Sequence, residues 1–259
     1  MYAPERQQIV EQLIDAHGRV SVIDLARRFG VTTETVRRDL HQLEDRGVLR
    51  RVHGGAVAPN RVSTAEFSLA EREQRGSEAK HAIAQRALDL VPEGFTGSIY
   101  LDAGTTTGVF AHALGARVAQ RSIEVVTHSM TIAHALAGVT GLGLTAIGGR
   151  VRGLTAAAVG AHTVATIERM RPDIAFVGTN GICERFGLST PDPDEAAVKQ
   201  AIVAAAQRVV VLSDSSKFGQ QLLVSFAPLA DIDVLVTDRA PDAALSQALI
   251  ESEAEVWTP

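Results

Sequence analysis

Six short apolar runs in the second part of the chain each break off in a polar or glycine-rich loop. They are "GSIYLDA", "IEVVTH", "GLTAIGG", "DIAFVGTN", "RVVVLSDS" and "IDVLVTD". Between them lie stretches with helical spacing, such as "MTIAHALAG", "HTVATIERM" and "PDEAAVKQAIVAAAQ". Several runs are continuously apolar rather than alternating, as strands covered on both faces must be. Strands that alternate with helices in this way predict an open, mostly parallel sheet with helices on both sides, a Rossmann-like α/β fold. A closing strand is expected at "EAEVW", after a helix over 241–252.

In such a sheet the loops at the carboxyl ends of the strands share one edge, where ligands bind. Here those loops read "DAGTTT", "THS", "GGRVRG", "GTNG", "SDSSK" and "TD". Thr105, Thr106 and Thr107 open a helix, whose first N–H groups are free to meet an anion. Gly104 lets the backbone approach closely. Asp102 accepts hydrogen bonds only and suits sugar hydroxyls. Lys217 supplies a cation, Asp214 a second acceptor and Asn180 an amide. His128 is the one histidine placed at a strand end; His112, His134 and His162 read as packing or surface residues. Glu195 and Lys199 stand four apart on one helix, either as part of this pocket or as an ordinary surface pair. Together these residues describe a pocket for a phosphorylated polyol. With no P-loop and no G-x-G-x-x-G, no nucleotide cofactor is expected. No spaced His/Cys cluster suggests a metal, and no nucleophile elbow suggests an enzyme, although acid/base pairs such as Glu195 with Asp214 or Lys217 exist.

The first 57 residues have another character: nine arginines, no lysine and eight acidic residues. Ile9, Leu13 and Ile14 make the stripe of a first helix that ends at "HG". Ser21 caps a second, with Asp24 as a weak capping-box partner, and Gly30 closes it. Thr32 caps a third after a short turn, which makes a helix-turn-helix. On the third helix Thr33, Val36, Leu40 and Leu43 share the predicted inner face, and Glu34, Arg37, Arg38 and His41 the outer one. By itself that outer face is either a solvated charged surface paired with Glu34 and Asp39 or a recognition surface. "RGVLRRVHGGAV" follows directly and reads as a hairpin wing tipped with Arg50, Arg51, His53, Gly54 and Gly55. Residues 27–51 carry seven arginines against four acids, a local excess of three positive charges. That excess favours recognition in a major groove, with the wing on the phosphate backbone. Candidate DNA contacts are therefore Ser21, Thr32, Thr33, Glu34, Thr35, Arg37, Arg38 and His41, together with the wing residues.

The whole chain of 259 residues carries a net charge of −5, so binding to nucleic acid must be local. Its single cysteine, Cys183, excludes an internal disulfide framework and reads as inert packing. The charged N-terminus is unlike a secretory signal, and no apolar stretch is long enough to span a bilayer, so a cytoplasmic protein without a membrane partner is expected. The division expected is residues 1–57 for DNA binding, 58–76 for a linker and connecting helix, and 77–259 for sensing and oligomerisation.

The run from "RQQIVEQLIDAHGRV" to "VTTETVRRDLHQLEDRGVLRRVHGGAV" closely resembles the winged helix-turn-helix of DeoR-type bacterial transcriptional regulators. "LDAGTTT", "VVTHSM", "IGGRVR", "VGTNGI", "GLSTPDPDEAAVKQ" and "VLSDSSKFG" resemble their effector domain, so the likeness spans nearly the whole chain. His128 stands where many members carry Asn. The resemblance implies a repressor of a sugar operon, released from operator DNA by a phosphorylated sugar, with fructose 1-phosphate the first expectation and fructose 6-phosphate the next. It implies an effector domain similar in fold to ribose-5-phosphate isomerase, with Asp102, Gly104, Thr105, Thr106 and Thr107 as the phosphate/sugar loop and Lys199, Asp214 and Lys217 completing the site. A homodimer or homotetramer is expected, since two half-sites need two reading heads. The rival reading is a sugar-phosphate isomerase-like enzyme that carries a DNA-binding module.

Overall fold

Gly18 and Gly30 end the first two helices in the left-handed region, at φ 68° and 65°, where a residue without Cβ is not strained. The computed structural model describes residues 2–52, 54–58, 63–64, 66–118 and 123–259. Its chain divides into two units, residues 1–65 and 66–259. His53 and most of the "APNRVST" stretch lie outside the described residues.

The first unit runs α1 (Ala3–His17), β1 (Arg19–Ser21), α2 (Val22–Phe29), α3 (Thr33–Asp45), β2 (Arg50–Val52) and β3 (Gly55–Val57). Ser21 and Thr32 cap α2 and α3 by accepting the backbone N–H groups of Asp24 and Thr35. Val10, Ile14, Leu25, Val36, Leu40, Leu43 and Leu49 form its core. Two details differ from expectation. Thr33 is exposed, because it begins α3 in a first turn that projects past the core. Asp39 occupies the inner face instead, where Arg6 neutralises it. The expected hairpin of β2 and β3 also gains β1, giving the order β1-β3-β2.

The second unit opens with α4 (Leu69–Gln74) and α5 (Ser77–Ala87), separated by Gly76 at φ 61°. Then follow β4 (Ser98–Leu101), α6 (Thr105–Arg117), β5 (Ile123–Thr127), α7 (Met130–Leu136) and β6 (Leu142–Ala146). The hairpin β7 (Arg150–Arg152) and β8 (Ala157–Val159) leads to α8 (Ala161–Ile167) and β9 (Ile174–Gly178). After β10 (Gly181–Cys183) and β11 (Gly187–Thr190) come α9 (Pro193–Ala205), β12 (Val209–Leu212), β13 (Val224–Ala227), β14 (Val234–Val236), α10 (Ala243–Glu251) and β15 (Glu255–Trp257). Seven strands form one sheet in the order β15-β14-β12-β9-β4-β5-β6, with all neighbours parallel. Both faces are covered: Tyr100 of β4 packs into one apolar layer, Ile99 and Leu101 into the other. The hairpin β7–β8 and the antiparallel sheet β10-β11-β13 are additions that the sequence did not announce. Their strands have three or four residues, too few for a periodic pattern.

The chain starts in the middle of the sheet at β4, moves outward to β6, then returns to β9 on the other flank of β4. The loops after β4 and β9 therefore diverge and leave a crevice at the carboxyl edge.

Candidate functional site

Asp102, the residue after β4, lies at that crevice and is fully buried. Its Oδ2 accepts the Gly178 N–H at 2.8 Å and the Lys199 ammonium, which also donates to the Gly178 carbonyl at 2.9 Å. A charge pair with these hydrogen bonds offsets much of the cost of removing both ions from water. The other oxygen, Oδ1, has no hydrogen-bond partner among the described residues. His128 Nε2 stands 3.7 Å from it, and His128 Nδ1 lies 3.0 Å from the Tyr100 hydroxyl. Burial lowers the imidazole to about 4, with Lys199 adding to the shift and Asp102 opposing it. Burial also raises Tyr100 well above the usual phenol range, so its hydroxyl keeps its proton.

One turn before Lys199, Glu195 faces the same way from α9, so the two are not a solvated surface pair: both are more than nine-tenths buried. Glu195 accepts from the Thr155 hydroxyl and from Arg152 Nη1 at 3.1 Å. Arg152, on β7, also meets Asp192 at 3.1 Å and Glu66 at 2.7 Å. Arg72 of α4 stands 3.4 Å from the other Glu66 oxygen. Burial and the Glu195 charge push the Glu66 carboxyl above its ordinary range, and Arg152 pulls it back.

Other residues of the edge divide into exposed and committed ones. Gly104 begins α6, which has no side-chain cap, and Thr105 is half-buried beside it. Thr106 is nearly buried, and Thr107 turns inward to donate to the Gly104 carbonyl at 2.9 Å. The Asn180 side-chain oxygen accepts from Thr190 at 3.1 Å. Asp214 caps the short 3₁₀ turn Ser215–Lys217 through the Ser216 N–H, which leaves Lys217 half-buried at the same edge. Lys80 is buried in α5 and donates to the carbonyls of Arg72 and Arg75 at the end of α4. Burial lowers it to about 8; Asp214 opposes that shift and Lys217 adds to it. Among the described residues no three His, Cys, Asp or Glu side chains gather as metal ligands do.

Sequence reasoning did not single out Tyr100, Glu66, Arg72, Lys80, Arg152 or Thr155. Tyr100 and Lys80 sit inside elements, where each reads as packing. Arg152 lies in "GGRVRG", and its alternation with the exposed Arg150 on β7 is the one signal that could have marked it.

In the first unit Glu34, Arg37, Arg38 and His41 are all exposed on one face of α3. Arg37 meets Glu34 at 3.4 Å and His41 meets Asp45 at 3.7 Å, contacts that water screens. Ser21, Thr32 and Thr35 are engaged in caps, with the Thr35 hydroxyl 3.0 Å from that of Thr32. A cleft of ≈ 330 Å³ between α3 and the wing is lined by Arg37, Arg51 and Gly54 among others. Arg50 and Arg51 are exposed on β2, and Glu44 fixes the Arg51 backbone N–H at 2.7 Å. Gly54 makes the turn at φ 83°. At Gly55 a Cβ would stand 2.0 Å from the Val20 carbonyl, so β1 and β3 pair only because this residue is glycine.

Residues 6–62 match the DeoR-like helix-turn-helix domain, and residues 75–239 match the DeoR C terminal sensor domain. The HTH-type transcriptional regulator FruR of Bacillus subtilis is 36% identical over 92% of each chain. GlpR of Haloferax volcanii, another HTH-type transcriptional regulator, is 38% identical over 93% of this chain and 91% of its own. The glycerol-3-phosphate regulon repressor of Escherichia coli is 29% identical over 97% of both. Ribose 5-phosphate isomerase A of Methanocaldococcus jannaschii shows a loose structural likeness, with 22% identity and TM-score 0.40 over 55% of this chain and 54% of its own. Through both of its domains, the chain belongs to the DeoR family of transcriptional regulators.

Proposed function

We propose that the protein is a cytoplasmic repressor of a sugar-utilisation operon and that a phosphorylated sugar releases it from operator DNA. The observation that carries the ligand class is the buried Asp102 Oδ1, which has no hydrogen-bond partner among the described residues at the crevice of the parallel sheet. A buried carboxylate oxygen seeks a donor, and a sugar hydroxyl is one. The uncapped start of α6 beside Gly104 and the Lys217 cation suit the phosphate of the same molecule. Asn180 and His128 act in this reading by holding the walls in place. Relatives named as repressors of a glycerol-3-phosphate regulon and a lactose phosphotransferase system support the class. Fructose 1-phosphate is the first candidate, followed by fructose 6-phosphate.

On the DNA side, Arg37 and Arg38 read base edges or clamp phosphates while Arg50, Arg51 and His53 add backbone contacts. Two copies at least are required to match two half-sites. The ligand acts by binding more tightly to a state of the protein that holds operator poorly. The test is an operator gel shift of the full chain against a panel of sugar phosphates. Release by one of them at micromolar to millimolar concentration is expected, and retention of DNA across the panel would overturn the reading.

The buried acid/base set of Asp102, Lys199 and Glu195 is the observation that favours a sugar-phosphate isomerase instead. Incubating the full chain with ribose 5-phosphate and the fructose phosphates separates the two. Binding without product supports the sensor, whereas steady isomerisation supports the enzyme.

A further inference from the structure

Glu66 is the first residue of the second unit, directly after the segment that leads from the DNA-binding unit. Its side chain is only 3% exposed and reaches two guanidinium groups, those of Arg72 and Arg152. Arg152 already serves Asp192 and Glu195. Three carboxylates thus share Arg152, and Arg72 stands beside Glu66 as a second guanidinium. Glu66 spans both guanidiniums: its buried Oε2 lies 2.7 Å from Arg152 and its Oε1 3.4 Å from Arg72. Burial and the neighbouring Glu195 both favour its neutral form.

The cluster is continuous with the crevice. Glu195 and Lys199 lie one turn apart on the buried face of α9, Glu195 holding Arg152 and Lys199 holding Asp102. Residues so spaced have Cβ atoms ~5–6 Å apart. The guanidinium that Glu195 holds and the ammonium that Asp102 holds are thus linked through one turn of α9.

We infer that Arg72 and Arg152 form an anion seat for the ligand, and that Glu66 fills this seat as an internal stand-in until a ligand anion displaces it. The inference rests on the phosphosugar reading above, moves the single phosphate of that ligand from the start of α6 and Lys217 to these two guanidiniums, and adds a route by which binding reaches the DNA-binding unit. A planar guanidinium pairs with phosphate as readily as with carboxylate. When phosphate takes the seat, Glu66 leaves it, and the chain at the start of the second unit is no longer anchored. The state with Glu66 seated and the state with ligand seated exclude each other, which is the differential affinity that release of operator requires.

The experiment compares the full-length protein with Glu66→Gln and Arg152→Lys. Glutamine keeps the size of the side chain and removes the competing charge. Calorimetric titration with inorganic phosphate, and separately with fructose 1-phosphate, should show Glu66→Gln binding at least about fivefold tighter than the unmodified chain. Arg152→Lys should bind both weaker by a similar factor. Fructose 1-phosphate, or whichever panel member releases operator, should do so from Glu66→Gln at correspondingly lower concentration. Proteolysis between residues 58 and 66 should quicken when ligand is added to the unmodified chain. Equal phosphate affinity in the unmodified chain and Glu66→Gln overturns the seat. If a panel member releases operator at the same concentration from both, the phosphosugar reading stands and the seat falls. If Glu66→Gln gains phosphate affinity while no sugar phosphate releases DNA from either, the seat stands and the phosphosugar reading falls.

Discussion

Lys199 of α9 and Asp102 at the end of β4 form a buried ion pair that ties a helix to the point where the parallel sheet reverses its strand order. The pair gathers the Gly178 N–H and carbonyl as well, so one contact fixes the loops after β4 and β9.

Removing one partner leaves a buried charge without its counter-ion, at a cost of ~3–5 kcal/mol. Lys199→Met should therefore lower the melting temperature of the second unit, by roughly 2–4 °C for each kcal/mol. Lys199→Met with Asp102→Asn, which leaves neither charge, should recover much of the loss. Thermal unfolding of the three proteins checks this, and a double variant no more stable than the single one contradicts it.

His128 predicts a pH dependence. Its folded pKa of about 4 lies below the ordinary 6.5, so the unfolded chain binds more protons between those values. Stability should be fully present above about pH 6.5 and fall as the pH drops toward 4, by a total of roughly 3 kcal/mol from this group. His128→Asn, which cannot titrate, should flatten that slope. Denaturant unfolding from pH 4 to 7 measures it, and equal slopes in both proteins would remove the cause.

Arg37→Ala and Arg38→Ala should each weaken operator binding by ~1–3 kcal/mol if the arginine contacts a base in bidentate fashion. The Arg37–Glu34 pair at 3.4 Å is exposed on both sides and holds Arg37 back by only a few tenths of a kcal/mol. Gel-shift titration at fixed salt reads the effect, and unchanged affinity refutes the role.

Gly55→Ala places a Cβ where the Val20 carbonyl already stands, 2.0 Å away. The β1–β3 pairing must open, and overpacking of this kind costs ~1–3 kcal/mol or more. Operator binding should fall because the wing is no longer held, while the melting of the second unit stays unchanged. Circular dichroism melts beside gel shifts test both halves of the statement.

Much of the fold was legible because its signals are local. Gly18 and Gly30 stop helices, Ser21 and Thr32 start them, and the apolar runs of β9, β12 and β14 mark strands whose both faces are covered. Thr33 misled, since a periodic pattern does not tell which end of a helix overhangs the core. The strands β10, β11 and β13 escaped because three or four residues carry no period, and the pairing of β11 with β13 joins positions far apart in the chain.

By itself the sequence determined the helix-turn-helix with its exposed Arg37 and Arg38, and the placing of Asp102, Thr105 and Lys217 at one sheet edge. Those follow from periodicity, from turn chemistry and from the rule that parallel strands end on a common side. Only the tertiary structure decided which of these groups are open and which are already committed. Thr107 and Asn180 are bonded within the protein, while Asp102 keeps one oxygen unpartnered among the described residues. It alone brought Glu66 to Arg152, residues 86 positions apart, because charge pairing in a buried cluster depends on distance in space and on the exclusion of water.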